Sequence, residues 1–420
     1  MTQNFNSICE FFSLFLEQNP QFKNKIFLVG GLVRDEFLNQ HQNDLDIDIA
    51  VEINGGAQSL AQSLHDFLPQ FTTAPFHVGK GYPIWKIKFK GPFRINKIEF
   101  DWINVEVDLA DTQKEAFPDP QTRQRITSYG TFAQDMLRRD FTINMLAYDL
   151  TDKNWVDATG YAIQDLQNKM IRTNPDLNGQ QILTEDPLRI IRALRFASVF
   201  KFQIAEQTQK DLVQCAHRLE IISPERITSE WEKTIRRNAW PELLRLAIQL
   251  NLFHVFFPGI DEQKIPWQKM SLFQNNLYEQ LLCFLSEQTS SAVTHFLSQL
   301  KMEHSLVKKI LKAQTALLDL PHDFKSSRAW ARQNKDILNE LRLFDQTHPA
   351  FNWIDQAPLW NQPLIDGHQI QKLFSVQGPA IKKISDLSQE LRDDYYLKHQ
   401  VDIKLEELIL QIQSRINQVL

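Results

Sequence analysis

The run Phe27-Leu-Val-Gly-Gly-Leu-Val-Arg-Asp35, followed by Asp44-Leu-Asp-Ile-Asp-Ile-Ala-Val51, leaves the chain around it few options. A short apolar segment enters a Gly-Gly turn, a helix-like stretch follows, and a second apolar segment carries an acid at every other position. Side chains alternate faces along a strand, so Asp44, Asp46 and Asp48 are expected on one face. Carboxylates so placed repel one another unless a cation lies among them, and magnesium prefers oxygen ligands of this kind. The pattern predicts a strand–turn–helix–strand unit with a metal site suited to phosphoryl chemistry. Asp44 and Asp46 are the expected ligands, with Asp48 flanking them.

The surrounding periodicity predicts a mixed head and a helical remainder, an α+β chain. Helices are expected at residues 5–16, 32–38 and 58–67, and strands at 25–29, 45–51, 82–89, 97–102 and 105–110. Beyond about residue 160 the apolar spacing turns helical, at 183–199, 205–218, 225–236 and 242–252. Ser223-Pro224 is a helix start signal, with Ser at the cap and Pro in the first turn. Pro258-Gly259 interrupts the pattern. The expected division is a head over residues 1–150, a helical segment over 151–258 and a second over 259–420. Only 13 Gly and 18 Pro in 420 residues agree with long helices and few tight turns.

Charge limits the classes of partner. The formal net charge is -5, and residues 236–420 hold 21 Lys and Arg against 20 Asp and Glu. A polyanion would therefore be held by a local patch and not by the overall field. No apolar run is long enough for a membrane span, and no basic-then-apolar leader opens the sequence. A cytoplasmic protein without a membrane partner is expected, with Cys9, Cys215 and Cys283 as reduced core thiols.

Two further blocks carry chemistry. Arg138-Arg-Asp-Phe-Thr-Ile-Asn144 sets two guanidiniums beside an acid, a combination suited to the phosphates and ribose of a nucleotide. In Glu185-Asp-Pro-Leu-Arg-Ile-Ile-Arg192, the spacing of Asp186, Arg189 and Arg192 predicts a ridge on one helix face. An Asp there accepts from the exocyclic amine of cytosine or adenine while an Arg donates to the adjacent ring atom. Guanine and uracil present a carbonyl instead and are refused. Gly30 and Gly31 let backbone N–H groups approach a triphosphate. Asp108, in Val105-Glu-Val-Asp-Leu-Ala110, is a candidate third carboxylate from a neighbouring strand.

In order and spacing these blocks resemble the class II tRNA nucleotidyltransferases and their poly(A) polymerase relatives, as far as about residue 235. The resemblance implies a polymerase-β-like nucleotidyltransferase head followed by an all-helical neck, body and tail. It implies template-independent addition or repair of the 3′-terminal CCA of tRNA from CTP and ATP, with Mg2+ at Asp44 and Asp46 and with Asp108 as a further catalytic carboxylate. Gly30, Gly31, Arg34, Arg138, Arg139, Asp140 and Asn144 would bind the nucleotide, and Asp186, Arg189 and Arg192 would read its base. The body and tail would hold the tRNA acceptor arm and 3′ end. The alternatives are a poly(A) polymerase, a partial CC- or A-adding enzyme, or a catalytically silent RNA-binding protein.

The segment 108–118 resembles the start of the family's flexible loop, and Ser223-Pro-Glu-Arg-Ile-Thr-Ser-Glu230 its neck helix. Asn39, Gln113 and Met145 depart from the usual Gly, Arg and Ala. Full CCA addition is expected despite Gln113, because Lys114 and Glu115 remain. His65-Asp66 and His322-Asp323 lack a surrounding histidine cluster and read as solvated positions. The aromatic stretches 253–257 and 353–360 read as core.

Overall fold

A computed structural model describes residues 2–40, 45–79, 82–119, 124–273, 276–345, 348–355 and 363–419. Asp44, the tip of the loop at 120–123 and Trp360 lie outside the described residues. The chain forms two compact units, Met1–Pro258 and Gly259–Leu420.

In the first unit, α1 (Gln3–Gln18) is capped by Thr2 and buries Phe5, Ile8, Phe11, Phe12 and Phe15. Next come β1 (Ile26–Val29), α2 (Gly31–Phe37), β2 (Asp46–Val51) and α3 (Gly56–Phe67). The strands β3 (Phe76–Val78), β4 (Ile84–Lys88), β5 (Phe93–Ile95), β6 (Ile98–Phe100) and β7 (Glu106–Asp111) follow. Then β8 (Gln113–Asp119) and β9 (Gln124–Tyr129) pair as an antiparallel hairpin where the sequence suggested a loop. Seven strands make one sheet in the order β11-β10-β1-β2-β7-β4-β3, with β10 (Leu146–Asp149) and β11 (Asn154–Asp157) at its far edge. The sheet thus runs past residue 150. Asp149 accepts from the N–H groups of Thr151 and Asp152 and so closes the β10–β11 turn.

Helix α3 packs on β4 and β7. Asp111, at the end of β7, accepts from the N–H groups of Gly55 and Ala57 and anchors the start of that helix. Phe11 of α1 packs against Phe89, Phe93, Phe100 and Trp102. Asn39 follows α2 at φ 53°, a left-handed position that Asn tolerates better than most residues. A Gly there is dispensable for that reason.

Between the sheet and the helices lie α4 (Phe132–Leu137), with a full capping box at Thr131, and α5 (Ala162–Gln167). The paired strands β12 (Met170–Ile171) and β13 (Gln203–Ile204) interrupt the expected all-helical stretch. The helix expected over 183–199 is two helices, α6 (Gly179–Glu185) and α7 (Leu188–Phe200). Pro187 is the cause, because a residue before proline is pushed out of the helical region, and Asp186 is extended at φ -139°, ψ 92°. The rest is α8 (Glu206–Cys215), α9 (Pro224–Arg236) and α10 (Trp240–Gln249). Ser223 has the cap backbone of α9 but its side chain makes no capping bond. Phe253, Phe256 and Phe257 are buried, the last against Trp231 and Trp240.

Every regular element described in the second unit is a helix. Its helices Phe324–Gln333 and Pro379–His399 are tied by a buried ion cluster. Asp393 accepts from Arg328 Nε at 2.8 Å and from Arg332 Nη2 at 2.6 Å, and Arg328 is fully buried. Removing one partner from such a cluster costs about 3–5 kcal/mol. Asp393→Ala is expected to lower the unfolding free energy of this unit, read from its urea transition, by that amount, and a value within error of wild type would contradict it. Asp323 caps the helix Phe324–Gln333, which is the local role of the His322-Asp323 pair. No helix among the described residues is long and apolar enough to cross a membrane.

Candidate active site

The site is built on the exposed face of the seven-stranded sheet. Strands β2 and β7 run parallel in the register Asp46↔Glu106 and Asp48↔Asp108. Directly paired residues share a face, so all four acids project together. Strand β4 adds Lys86 opposite Asp108. Lys86 Nζ donates to both oxygens of Asp108 at 2.8 Å and to Glu106 at 2.6 Å. Burial opposes the Lys86 charge, but the hydrogen bonds to Asp108 and Glu106 raise its pKa above the ordinary lysine value.

Asp46 is exposed, whereas Asp48 is partly covered. Burial first, and the charge of Asp46 next, push the Asp48 carboxyl up to about 7 against the pull of Arg139. Gly30 sits against it: a Cβ at Gly30 would lie 2.6 Å from Asp48 Oδ2, and its φ of 83° is itself a glycine conformation. The turn's glycine is thus required both by the backbone and by the acid beside it. Asp48, read from sequence as flanking, lines a cavity of about 260 Å³ together with Asp108, Ile84, Asp135, Arg138 and Arg139.

Among the described residues no three or more His, Cys, Asp and Glu side chains close into a metal cluster, and Asp44 lies outside them. The donor chemistry nevertheless fits a hard divalent ion. Every candidate ligand is a carboxylate, and the crowding that raises Asp48 is what a cation between Asp46 and Asp48 would relieve.

Arg138 and Arg139 follow α4 and are both held by Asp135, through Arg138 Nε at 2.9 Å and Arg139 Nη2 at 3.3 Å. Arg138 also reaches Glu115 at 3.3 Å, and Gln113 donates its N–H to Asp135 at 3.1 Å. The β8–β9 hairpin is thereby bonded to the arginine pair.

Asp140 turns the other way, into a buried network. Its Oδ1 accepts from the Phe141 N–H and from Asn144 Nδ2, and its Oδ2 from Arg192 Nε at 2.8 Å. Burial alone would push this carboxyl up, but Arg192, Asn144 and Arg189 hold it well below the usual carboxylate range. Asn144 Oδ1 accepts in turn from Arg34 Nη1 at 2.7 Å. Arg34 is buried, bonded to Asp35, and lies over Phe200 at 4.5 Å and Phe196 at 5.1 Å. Arg195 lies over Phe196 at 4.1 Å and donates to Glu230 of α9 at 2.6 Å. The network therefore locks α2, the 140–144 segment, α7 and α9 into one frame.

The expected ridge of Asp186, Arg189 and Arg192 requires correction. Asp186 is off the helix for the reason given by Pro187, and both its oxygens accept from Arg226 Nη2 at 3.2 Å. Arg189 donates to the carbonyls of Ile182 at 3.1 Å and Arg138 at 2.7 Å. Arg192 faces Asp140 and Glu230. Gly31, the first residue of α2, has the Arg34 guanidinium as its neighbour.

The structure thus brings together Gly30, Asp46, Asp108, Arg138 and Arg139 around the sheet face. It places Arg34, Asp140, Asn144 and Arg192 in the buried frame behind. Sequence reasoning did not single out Lys86, Asp135, Arg195 or Phe196. Lys86 stood at an alternate position of an expected strand and Asp135 in the turn before Arg138, but nothing local named their partners.

The poly(A) polymerase head domain family matches residues 26–172. The family described as "Probable RNA and SrmB- binding site of polymerase A" matches residues 201–264. A tRNA nucleotidyltransferase of Schizosaccharomyces pombe is 30% identical over 247 residues, 56% of this chain and 46% of that protein. A CCA-adding enzyme of Lactobacillus helveticus is 25% identical over 387 residues, 89% of this chain and 83% of that protein. The chain spans less than half the length of the first curated relatives it matches. The structure of the Thermotoga maritima CCA-adding enzyme, solved with tRNA, superposes with a TM-score of 0.67 at 21% identity, covering 99% of this chain and 96% of that one. With its sheet-face carboxylates, its Arg-Arg-Asp segment and these matches, the chain belongs to the poly(A) polymerase superfamily of nucleotidyltransferases, with class II tRNA nucleotidyltransferases among its relatives.

Proposed function

We propose that this protein adds the 3′-terminal CCA to tRNA from CTP and ATP, releasing pyrophosphate at each step, with Mg2+ on Asp44 and Asp46. One observation carries the reading: the bond from Arg189 Nη2 to the Arg138 carbonyl joins the base-reading segment to the arginine pair that lines the carboxylate cavity. A nucleotide whose phosphates lie by Arg138 and Arg139 then has its base beside Asp186 and Arg189. Relatives named as CCA-adding enzymes from Geobacillus and Lactobacillus support the substrate class.

In the reaction the RNA 3′-hydroxyl oxygen forms a bond to the α-phosphorus, the bond from that phosphorus to the oxygen bridging to the β-phosphate breaks so that pyrophosphate leaves, and the hydroxyl proton passes to solvent. Magnesium, when bound, neutralises phosphate charge and lowers the pKa of the attacking hydroxyl. Asp46 and Asp108 orient that centre from adjacent strands, and Lys86 keeps Asp108 in place. Arg138 and Arg139 bind phosphate oxygens, their direction set by Asp135. Asp186 reads the amine of cytosine or adenine after exchanging Arg226 for the base. The helical remainder grips the acceptor arm through phosphates and shape.

The test uses tRNA lacking its CCA, magnesium, and CTP, ATP or both. Two residues added with CTP alone and three with both nucleotides are expected. A stop at CC in the presence of ATP would mean a CC-adding enzyme, a long adenosine ladder a poly(A) polymerase, and no extension a silent RNA-binding protein.

A further inference from the structure

The row of paired residues that carries the acids does not end at them. Phe76 of the edge strand β3 pairs with Lys86, Lys86 with Asp108, and Asp108 with Asp48. Paired residues share a face, so an aromatic ring lies in line with the catalytic carboxylates. One step along, Val78 pairs with Ile84, and both project on the same side because each is two residues from its neighbour in that row. All three are open to solvent: Phe76 is 45% exposed, Val78 41% and Ile84 38%. Ile84 also lines the cavity that holds Asp48, Asp108, Arg138 and Arg139. The apolar strip is therefore the continuation of the active-site wall.

We propose that Phe76, flanked by Val78 and Ile84, is the platform on which the 3′-terminal base of the RNA stacks while its hydroxyl is presented to the carboxylates; this rests on the function proposed above. Strands lie about 4.8 Å apart, so the ring stands roughly 10 Å from the β7 backbone at Asp108 and roughly 14 Å from the β2 backbone at Asp48. A nucleotide lying across β4 has its base on Phe76 and its sugar toward the acids. Lys86, between ring and acids, supplies positive charge along that path. Stacking suits the task because the terminal base changes at each addition. A ring accepts any base face, whereas a hydrogen-bonding pocket would accept one. The incoming nucleotide is served by the arginine pair and the Asp186–Arg189 segment, so the strip is left for the RNA.

The test compares wild type, Phe76→Ala and Phe76→Trp in steady-state CTP addition to an RNA minihelix lacking CCA, varying RNA and CTP separately. Phe76→Ala is expected to raise the RNA KM about tenfold, with kcat and the CTP KM within about twofold of wild type, and Phe76→Trp to restore the RNA KM. An unchanged RNA KM, or a CTP KM that rises instead, overturns the platform. Gel filtration is read alongside. A wild-type dimer that Phe76→Ala converts to monomer, with the RNA KM unchanged, would make the strip a contact between copies and overturn the proposal. If wild type fails to extend the minihelix, the proposed function fails by itself. Fluorescence anisotropy with a short single-stranded RNA then decides the platform: weaker binding by Phe76→Ala supports it, and equal binding overturns it.

Discussion

Replacing Asp46 with alanine is expected to reduce nucleotide transfer by a thousandfold or more while RNA affinity stays within about threefold. The Asp46 side chain is exposed, and Lys86 pairs with Asp108 and Glu106 beside it, so the Asp46 carboxylate carries little of the fold. Its electrostatic effect on the free protein is unfavourable, since it helps push the Asp48 carboxyl up to about 7. A carboxylate that costs its neighbour charge repulsion and stands exposed is expected to serve a ligand. A metal's stabilisation of transition-state charge amounts to several kcal/mol, and each 1.36 kcal/mol is tenfold in rate, which sets the thousandfold scale. Thermal stability of the variant should equal or exceed that of wild type, because a source of repulsion is gone. Single-turnover extension, filter binding and a thermal melt on one preparation check all three. Activity within tenfold of wild type would remove Asp46 from the chemistry.

Asp140→Ala should be strongly disruptive to the first unit, for the opposite reason. Asp140 makes its full complement of bonds: to the Phe141 N–H, to Asn144 and to Arg192. Through Asn144 it is coupled to Arg34, and through Arg192 to Glu230. Alanine would leave Arg192 without its nearest carboxylate in a buried frame, at a cost of about 3–5 kcal/mol. Asparagine keeps the size and one acceptor and should cost less. The pH dependence has a definite sign. The Asp140 pKa is lowered by folding, so its contribution is complete above the unfolded value near 4 and is lost as pH falls below it. The stability gap between wild type and Asp140→Ala should therefore be constant from about pH 6 to 8 and shrink below about pH 4. Urea titrations at several pH values check this, and a gap that widens on acidification would contradict it.

The two substitutions separate what the motifs have in common from what the fold makes of them. Asp46 and Asp140 both sit in short, legible blocks, the first pointing to a metal ion and the second to a nucleotide. The structure gives Asp140 two neighbours, Asn144 and Arg192, that use its oxygens internally, whereas Asp46 is left to solvent. The Arg34 guanidinium follows the same course, stacked on Phe196 and Phe200 and bonded to Asn144. Positions such as these fix the geometry of α2 and α7.

Local sequence determined the strand–turn–helix–strand unit, the shared face of the alternate acids and the need for glycine at position 30. It also determined the helical remainder and the break at Pro258-Gly259. Each of these follows from backbone sterics or side-chain period within a few residues. Only the tertiary structure decided that Asp48 faces the cavity, that Lys86 lies opposite Asp108, that Arg192 turns to Asp140, and that Phe76 stands in the same row as the acids. These depend on strand register and helix packing between segments tens of residues apart. Period states which face a residue occupies, but only the packing of distant segments selects the neighbour it meets there.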